Sequence, residues 1–557
     1  MTTSQYDDPN DADASSSRKY HDKELFVTGH SGTTILEILL LCLVIPVGLV
    51  LYHKLHGRYG YGDTNYFRRR HVKIEAGSTV GRLQWWWAMK GRKIILEFVT
   101  LVMPMLIVQT SLLPYIIGPL GLLAGMLTLA LSIPSGANHD KQQQQQEQQQ
   151  LDHRQIEEKK NHHRHRPAFL SIHRACVYLL TTIAILAVDF PIFPRRYCKT
   201  EVSGYGWMDL GAASFIIIAG WTSALSTSPT NTSRATTTNI GRLARKAIMK
   251  CGPLLLIGLI RLATNKGLEY QEHVSEYGVH WNFFFTLCLV EGSAVVWKGL
   301  KAQFSRTTTR QLPLDFMLAM FIMVPYQIFL SYYGGQEFIE DGSRRCNAES
   351  YGNIIPAWVI SKHSFLCNIF VANREGILGV LGYMSLCLFS EAIARRCLLP
   401  IHVSFDHSDE RTLLSNHQQY RLSFTSVSLW IVHLILTAGL NIPTSRRSTN
   451  ASFILWALSH NVSLLSLIYT VTARTTTTEN EMNQAHPLLE AINRYGLAVF
   501  LSSNILTGLI NLTFDTLHTP DGRAVIILTV YLMLVCGFAI LLDAERNEDV
   551  DKPSKAG

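Results

Sequence analysis

Residues 168–199 read AFLSIHRACVYLLTTIAILAVDFPIFPRRYCK. From Ala168 to Val188 the run is apolar but for a few hydroxyls and the pair His173–Arg174 near its start. Rising about 1.5 Å per residue, such a helix crosses the roughly 30 Å hydrocarbon core of a bilayer. It ends on an acid, Asp189. Pro191 and Pro194 then stop the helix, and Arg195, Arg196 and Lys199 follow. Charges where a helix leaves the bilayer are costly, and they are retained for pairing, ligand binding or chemistry.

The rest of the chain repeats the apolar pattern. Of 557 residues, 47% are apolar and 17% charged, where a soluble domain carries about 25% charged residues. The apolar residues gather in about thirteen runs of spanning length: 33–52, 94–112, 113–133, 168–188, 208–227, 247–262, 281–297, 314–332, 376–393, 424–440, 451–470, 495–512 and 525–542. The expected fold is all-α, a polytopic helical membrane protein. Another stretch, Ile354–Val371, is broken by Lys362, His363 and Asn368 and reads as an amphipathic or re-entrant segment.

The formal charge of +8 reflects where the loops lie and does not point to nucleic acid. Lys and Arg crowd into alternate loops, those after odd-numbered runs, among them Arg68, Arg69, Arg70, Arg92, Lys93, Arg242, Arg245 and Lys246. The positive-inside rule makes those loops cytosolic. The N-terminus and the Asp189–Lys199 loop then face the lumen, and the C-terminus faces the cytosol. The first apolar run is long and follows a polar start, so it reads as a signal anchor and not a cleaved leader. Three segments frame the spanning domain of residues 33–542: a polar lumenal tail, 1–32; a glutamine-rich cytosolic linker within the domain, 134–167; and a cytosolic tail, 543–557. The Ser/Thr-rich stretch Ser226–Thr238 resembles the linker in character, and Trp85–Trp87 reads as an interfacial aromatic belt.

Ten cysteines show no metal spacing. Cys346 and Cys367 fall in one expected lumenal loop, where they either bridge or remain thiols. Sequons at Asn231, Asn450, Asn461 and Asn511 lie in an expected cytosolic loop or in or beside spans, so little glycosylation is expected.

Glu37, Glu97, His173, Arg174, Asp209, Arg261, Glu291, Asp315, Glu391 and His433 lie within or beside runs. Each alone is well explained by an interhelical ion pair or hydrogen bond, and Asp209 and Asp315 by helix capping. Three expected lumenal segments are denser in charge: Asp189–Lys199, Arg261–Asn282 with Lys266, Glu276 and His280, and Asn373-Arg374-Glu375. Composition allows them to form one polar site, and it equally allows ordinary surface loops.

The order of four motifs is more specific. Ile185-Leu-Ala-Val-Asp189-Phe-x-x-Phe-Pro-Arg-Arg-x-x-Lys199-Thr-Glu resembles the signature of the PIG-W family, the GPI-anchored wall transfer proteins. So do Lys266-Gly-Leu-Glu-Tyr-x-Glu-His-Val-x-Glu-Tyr-Gly-Val-His280-Trp-Asn-Phe-Phe-Phe285, Ala372-Asn-Arg-Glu-Gly-Ile377, and Gly496-Leu-Ala-Val-Phe-Leu501 with Asn504-x-Leu-Thr-Gly-Leu-Ile-Asn511. The glutamine-rich insert departs from the family pattern. The resemblance implies thirteen spans in the endoplasmic reticulum membrane. It also implies an acyltransferase that moves a long acyl chain, typically palmitoyl, from acyl-CoA to the inositol 2-hydroxyl of glucosaminyl-phosphatidylinositol. The family's acid and lysine fall on Asp189 and Lys199. Acyl-CoA is then a co-substrate, with no tightly bound cofactor, no metal, and no nucleic-acid or obligate protein partner expected.

Attack of a secondary alcohol on a thioester needs a base for the hydroxyl proton and positive charge for the oxyanion. Partial desolvation at the helix end makes Asp189 a better base, while Lys199 keeps it ionised. Arg195 and Arg196 suit a phosphodiester, because guanidinium forks match phosphate oxygens. Arg174, Lys266, Glu276, His280, Asn373 and Arg374 are candidate contacts to sugar, phosphate or CoA, with structural hydrogen bonds as the competing role. Acyl-CoA is made in the cytosol although Asp189 points to the lumen, so the pocket is expected within the membrane. Two other functions stay open: a lipid transporter or flippase using the polar interior, and an intramembrane-histidine acyltransferase built on His433.

Overall fold

A computed structural model describes residues 26, 29–58, 90–112, 117–133, 167–226, 240–267, 274–304, 308–340, 342–346, 363–399, 410–473 and 486–551. The glutamine-rich linker, Trp85–Trp87, Asn231, most of the N-terminal tail and the first half of Ile354–Val371 lie outside the described residues, while Ser364–Ala372 is helical. Among those described, the chain is helical and its only β pairing is the isolated bridges of Gly32 and Thr33 with Tyr205.

The main helices are α1 (Ile35–Arg58), α2 (Ile117–Ser132), α3 (Ala168–Ala187), α4 (Leu210–Leu225), α5 (Ile240–Gly267), α6 (Phe283–Phe304), α7 (Thr308–Tyr332), α8 (Arg374–Cys397), α9 (Glu410–Leu434), α10 (Ala451–Thr472), α11 (Pro487–Arg494), α12 (Gly496–Thr513) and α13 (Asp521–Asp551). Eleven of the described helices are long and apolar enough to cross a membrane. The expected runs 94–112 and 113–133 are not among them. Residues 90–108 are helical but carry a π-helical turn at Phe98–Val102, and α2 has only 16 residues. The π turn lies where α1 comes close: a Cβ on Gly48 would stand 2.5 Å from the Thr100 carbonyl oxygen. Small residues permit such close backbone approach in membrane bundles.

The chain divides into two compact units. One comprises Met1–Thr33 and Arg195–Val462, the other Thr34–Pro194 and Ser463–Gly557. In the first, α8 is the central post, packed by α4, α6 and α7, with α5 against α6. Where these helices end, Lys301 Nζ reaches Asp315 Oδ1 (2.5 Å) and Glu391 Oε2 (3.0 Å), and Arg395 Nε reaches Asp315 Oδ2 (2.9 Å). Asp315 also accepts the Trp297 indole N–H at 2.8 Å. Asp315 is therefore an interhelical partner and not a helix cap. At the other end, Cys346 and Cys367 are joined as a disulfide beside a small core of Tyr326, Leu330, Phe338, Ile339 and Val371.

In the second unit, α11 and α12 pack on α3 and on α13, while α1 packs on α2. The short helix α11 is held at both ends. Pro487 opens it, and the next amide, Leu488 N–H, donates to the buried Glu97 carboxylate at 2.7 Å. An acid at a helix N-terminus meets both the unsatisfied amides and the positive end of the dipole. His486 Nδ1 lies 3.0 Å from Glu97 Oε1, and at the far end Arg494 Nη1 bonds Asp543 Oδ1 at 2.5 Å. Glu97→Ala leaves these donors buried without their acceptor. It is expected to cost about 1–3 kcal/mol for each orphaned donor, read as a lower thermal unfolding midpoint of the detergent-purified protein; an unchanged midpoint would remove Glu97 as the anchor of α11.

Candidate functional site

Among the described motif residues, Asp189, Lys199, Glu276, Arg374 and Glu375 each have a partner within their own unit. In the second unit, α3 ends at Ala187 and the chain turns through Asp189 and Phe190, whose amides close on Leu186 and Ala187 carbonyls. Phe190, Ile192 and Phe193 bury their side chains, and Ser111 fixes the turn through N–H and hydroxyl bonds to the Ile192 carbonyl at 2.6 and 2.8 Å. That leaves Asp189 half-buried at the helix end. Its Oδ2 accepts the Asn511 amide N–H at 2.7 Å, and Asn511 Oδ1 in turn accepts the Thr516 hydroxyl at 3.2 Å. The first and fourth motifs are thus joined by one oriented amide. Arg174, also in this unit, is half-buried on α3.

In the first unit, Lys199 forms an ion pair with Glu276, so the first motif meets the second. Burial raises the Cys198 thiol above its ordinary value, against the opposing charges of Arg195 and Lys199. Arg195 lies over the Phe26 ring at 3.9 Å and Arg196 over its neighbour Tyr197 at 4.8 Å. A guanidinium stacked on a ring still has its edge N–H groups to donate to acceptors.

The second and third motifs also lock together. The Val279 amide donates to the Ala372 carbonyl at 3.0 Å, and the His280 amide donates to Asn373 Oδ1 at 2.7 Å. The imidazole of His280 is exposed. Asn373 therefore acts through its backbone-holding amide, and its Nδ2 donates to the Ile369 carbonyl. Arg374 is buried with its guanidinium on backbone carbonyls of Gly342 (2.5 Å), Ser343 (2.8 Å) and Ile339 (3.2 Å). That surrounding is the one expected of a structural arginine. The side chain of Lys266 lies outside the described residues.

Residues that composition did not single out complete this region. Between α9 and α10 the chain is irregular, yet Thr444–Asn450 is buried throughout. Arg446 Nε stands 2.8 Å from Asp209 Oδ1, and Arg447 Nη2 stands 3.2 Å from Glu375 Oε1, which Arg344 also holds at 2.7 Å. Burial opposes the charge on Arg446, but Glu276 and Asp209 outweigh it and hold the guanidinium above its ordinary range. Asp209 does not cap α4. Its carboxylate instead takes the Thr200 amide (3.2 Å) and hydroxyl (2.8 Å) and the Gly206 amide (3.0 Å). Burial likewise raises the Tyr277 phenol well above its usual value. His433, on α9, has both ring nitrogens engaged: Nδ1 faces the Ser452 carbonyl at 3.1 Å and Nε2 the Tyr205 hydroxyl at 3.1 Å. A carbonyl can only accept, so Nδ1 donates and Nε2 accepts from Tyr205.

Many apolar helices and charged motifs at helix ends define a multi-pass membrane protein with an ordered polar region. The family model GWT1 matches residues 19–542. The chain is 30% identical over 541 residues to the GPI-anchored wall transfer protein 1 of Aspergillus fumigatus, covering 93% of this chain and 96% of that one. It is 29% identical over 546 residues to the protein of that name from Aspergillus oryzae, covering 94% and 97%. For the one from Yarrowia lipolytica the identity is 32% over 381 residues, covering 67% and 72%. The chain belongs to the GWT1 family of GPI-anchored wall transfer proteins.

The lock between the second and third motifs needs Gly278, whose φ is +106° and whose added Cβ would meet Asn373 Cα at 2.5 Å. Gly278→Ala is expected to cost about 1–3 kcal/mol in backbone strain alone, with the collision added. The check is the folded yield and unfolding midpoint of the variant, and wild-type values would show that the 278–280 turn is not constrained as described.

Proposed function

We propose that the protein is an acyl-CoA-dependent O-acyltransferase of GPI-anchor biosynthesis, acylating the inositol 2-hydroxyl of glucosaminyl-phosphatidylinositol. The observation that carries this reading is Asp189: a half-buried carboxylate at the end of α3, within an intact family motif, oriented by Asn511. In the proposed step Asp189 accepts the hydroxyl proton as the inositol oxygen attacks the thioester carbonyl. A C–O bond forms, the C–S bond breaks, and the CoA thiolate leaves and is reprotonated. Lys199 supplies positive charge for the oxyanion, as positioned cations do in acyl transfer. Arg195 and Arg196 hold the lipid phosphate. Arg174, Lys266, Glu276 and His280 stay candidate contacts to sugar, phosphate or CoA, and Asn373 and Arg374 support that region through the backbone bonds described above.

The proposed location is the endoplasmic reticulum membrane, with the N-terminus lumenal and the C-terminus cytosolic. The Cys346–Cys367 bridge supports that orientation, because disulfides persist in oxidising compartments and this one lies in a loop expected to be lumenal. The occupied ring nitrogens of His433 favour a structural role for it over an intramembrane catalytic one.

With palmitoyl-CoA and glucosaminyl-phosphatidylinositol, purified wild type is expected to form acylated product. Asp189→Asn is expected to abolish it at unchanged fold. Losing the base should cost about 10²–10⁴-fold, and Asn511→Ala, which frees the carboxylate to turn, about tenfold, a single lost hydrogen bond to a charged group. Wild-type turnover in Asp189→Asn would remove Asp189 as the base. Substrate movement across vesicles with no acylated product would favour a flippase.

A further inference from the structure

Lys199 is followed by a turn that has little regular structure of its own, yet residues 197, 198 and 200 are buried and Lys199 keeps a partly exposed side chain. Such an ammonium needs something to hold it. Two contacts do so, one on the ammonium and one on the backbone. Glu276 pairs with Nζ. Asp209 takes both the amide and the hydroxyl of Thr200, the next residue, and the Gly206 amide that closes the turn.

Arg446 pairs with Asp209, and Glu276, already the partner of Lys199, adds its charge nearby. Arg446 stands 2.8 Å from Asp209, and Glu276 and Asp209 are the charges that act most strongly on it. Asp209 is fully buried and Arg446 nearly so. An uncompensated carboxylate in that setting is expensive, so removing Arg446 must move the acids or neutralise them. Arg446 is itself held by its loop: the Gly204 amide donates to the Thr444 carbonyl at 2.8 Å, and Ser445 Oγ donates to the Val202 carbonyl at 2.8 Å. The loop thus grips the very turn, 200–206, that Asp209 organises. Other charged and titratable groups facing the cluster, Tyr277, Tyr383 and Arg261, do not touch Lys199 in any contact described.

We infer that Arg446 and Asp209 are positioning residues for Lys199, acting through Glu276 on its ammonium and through Thr200 on its backbone. The kinetic part of this inference rests on the acyl-transfer reading given above, whereas the placement of Lys199 does not.

The test uses the full-length protein in detergent. Lys199 is labelled with a water-soluble amine-reactive ester and quantified by mass spectrometry against the exposed Lys246. In Arg446→Ala and in the isosteric Asp209→Asn, the Lys199 rate is expected to rise about fivefold, the factor set by a partly exposed ion pair of ~1 kcal/mol, while Lys246 is unchanged. Arg446→Lys, which keeps the charge, should restore most of the protection. Asp209→Asn carries the comparison if Arg446→Ala does not fold. Unchanged labelling of Lys199 in the folded variants overturns the inference.

Kinetics supply the second readout. The double variant Lys199→Ala with Arg446→Ala should lose no more turnover per folded molecule than Lys199→Ala alone, within about twofold. Losses that multiply would mean that Arg446 acts elsewhere and would also overturn the inference. If wild type forms no acylated product, the acyl-transfer reading fails, and the labelling result alone decides the placement of Lys199.

Discussion

A charge buried in protein must be matched, and the pair Arg446–Asp209 is the match on which the polar half of this molecule depends. Buried irregular backbone is tolerated only where its polar groups are satisfied. The segment 442–450 and the helix start that follows it meet that condition with their own and borrowed donors and acceptors. Asn450 Oδ1 accepts the Phe453 amide at 3.0 Å, the Tyr326 hydroxyl donates to the Ser448 carbonyl at 2.7 Å, and Gln327 receives the Ala451 amide at 2.9 Å. With its backbone satisfied, the loop can carry two adjacent guanidinium groups into the interior, one for Asp209 and one for Glu375. The motif residues around them are then ordered by charge and not by apolar packing.

Two kinds of charge cluster occur in this unit, and they differ in composition. Lys301, Asp315, Glu391 and Arg395 are fully buried and face one another across helices α6, α7 and α8. Their partners are side chains, so the cluster ties helices to one another. Beside Arg446, Asp209 spends most of its bonds on the turn 200–206, taking the Thr200 amide and hydroxyl and the Gly206 amide. That cluster shapes loops.

Much of this was legible in the sequence. The helix exit at Asp189, the prolines that follow it and the charged segments at 261–282 and 373–375 all stand out by pattern, because apolar periodicity and breakers act locally. The partners did not. Nothing local says that Asn511 faces Asp189, or that Glu276 takes Lys199, since each contact joins residues far apart in the chain. Thr444–Asn450 reads as a polar loop between two spans, and only its tertiary surroundings bury it. One signal was available: Arg446 and Arg447 are adjacent bases in a loop after an even-numbered run, and such loops are poor in basic residues in this sequence. The count of thirteen is not confirmed at 94–133, where the described residues form a helix with a π turn and a 16-residue helix.

The asparagines at three sequons illustrate what such satisfaction excludes. A glycan attaches through the side-chain nitrogen, the same atom that donates from Asn450 to the Pro443 carbonyl (2.6 Å), from Asn461 to Ser214 (3.0 Å) and from Asn511 to Asp189 (2.7 Å). Modification would first have to break each of these bonds, and at Asn511 it would also release the carboxylate that the amide orients. An oligosaccharyltransferase meeting the folded chain therefore finds these acceptor atoms already in use, and the motif that resembles a glycosylation signal serves as internal wiring.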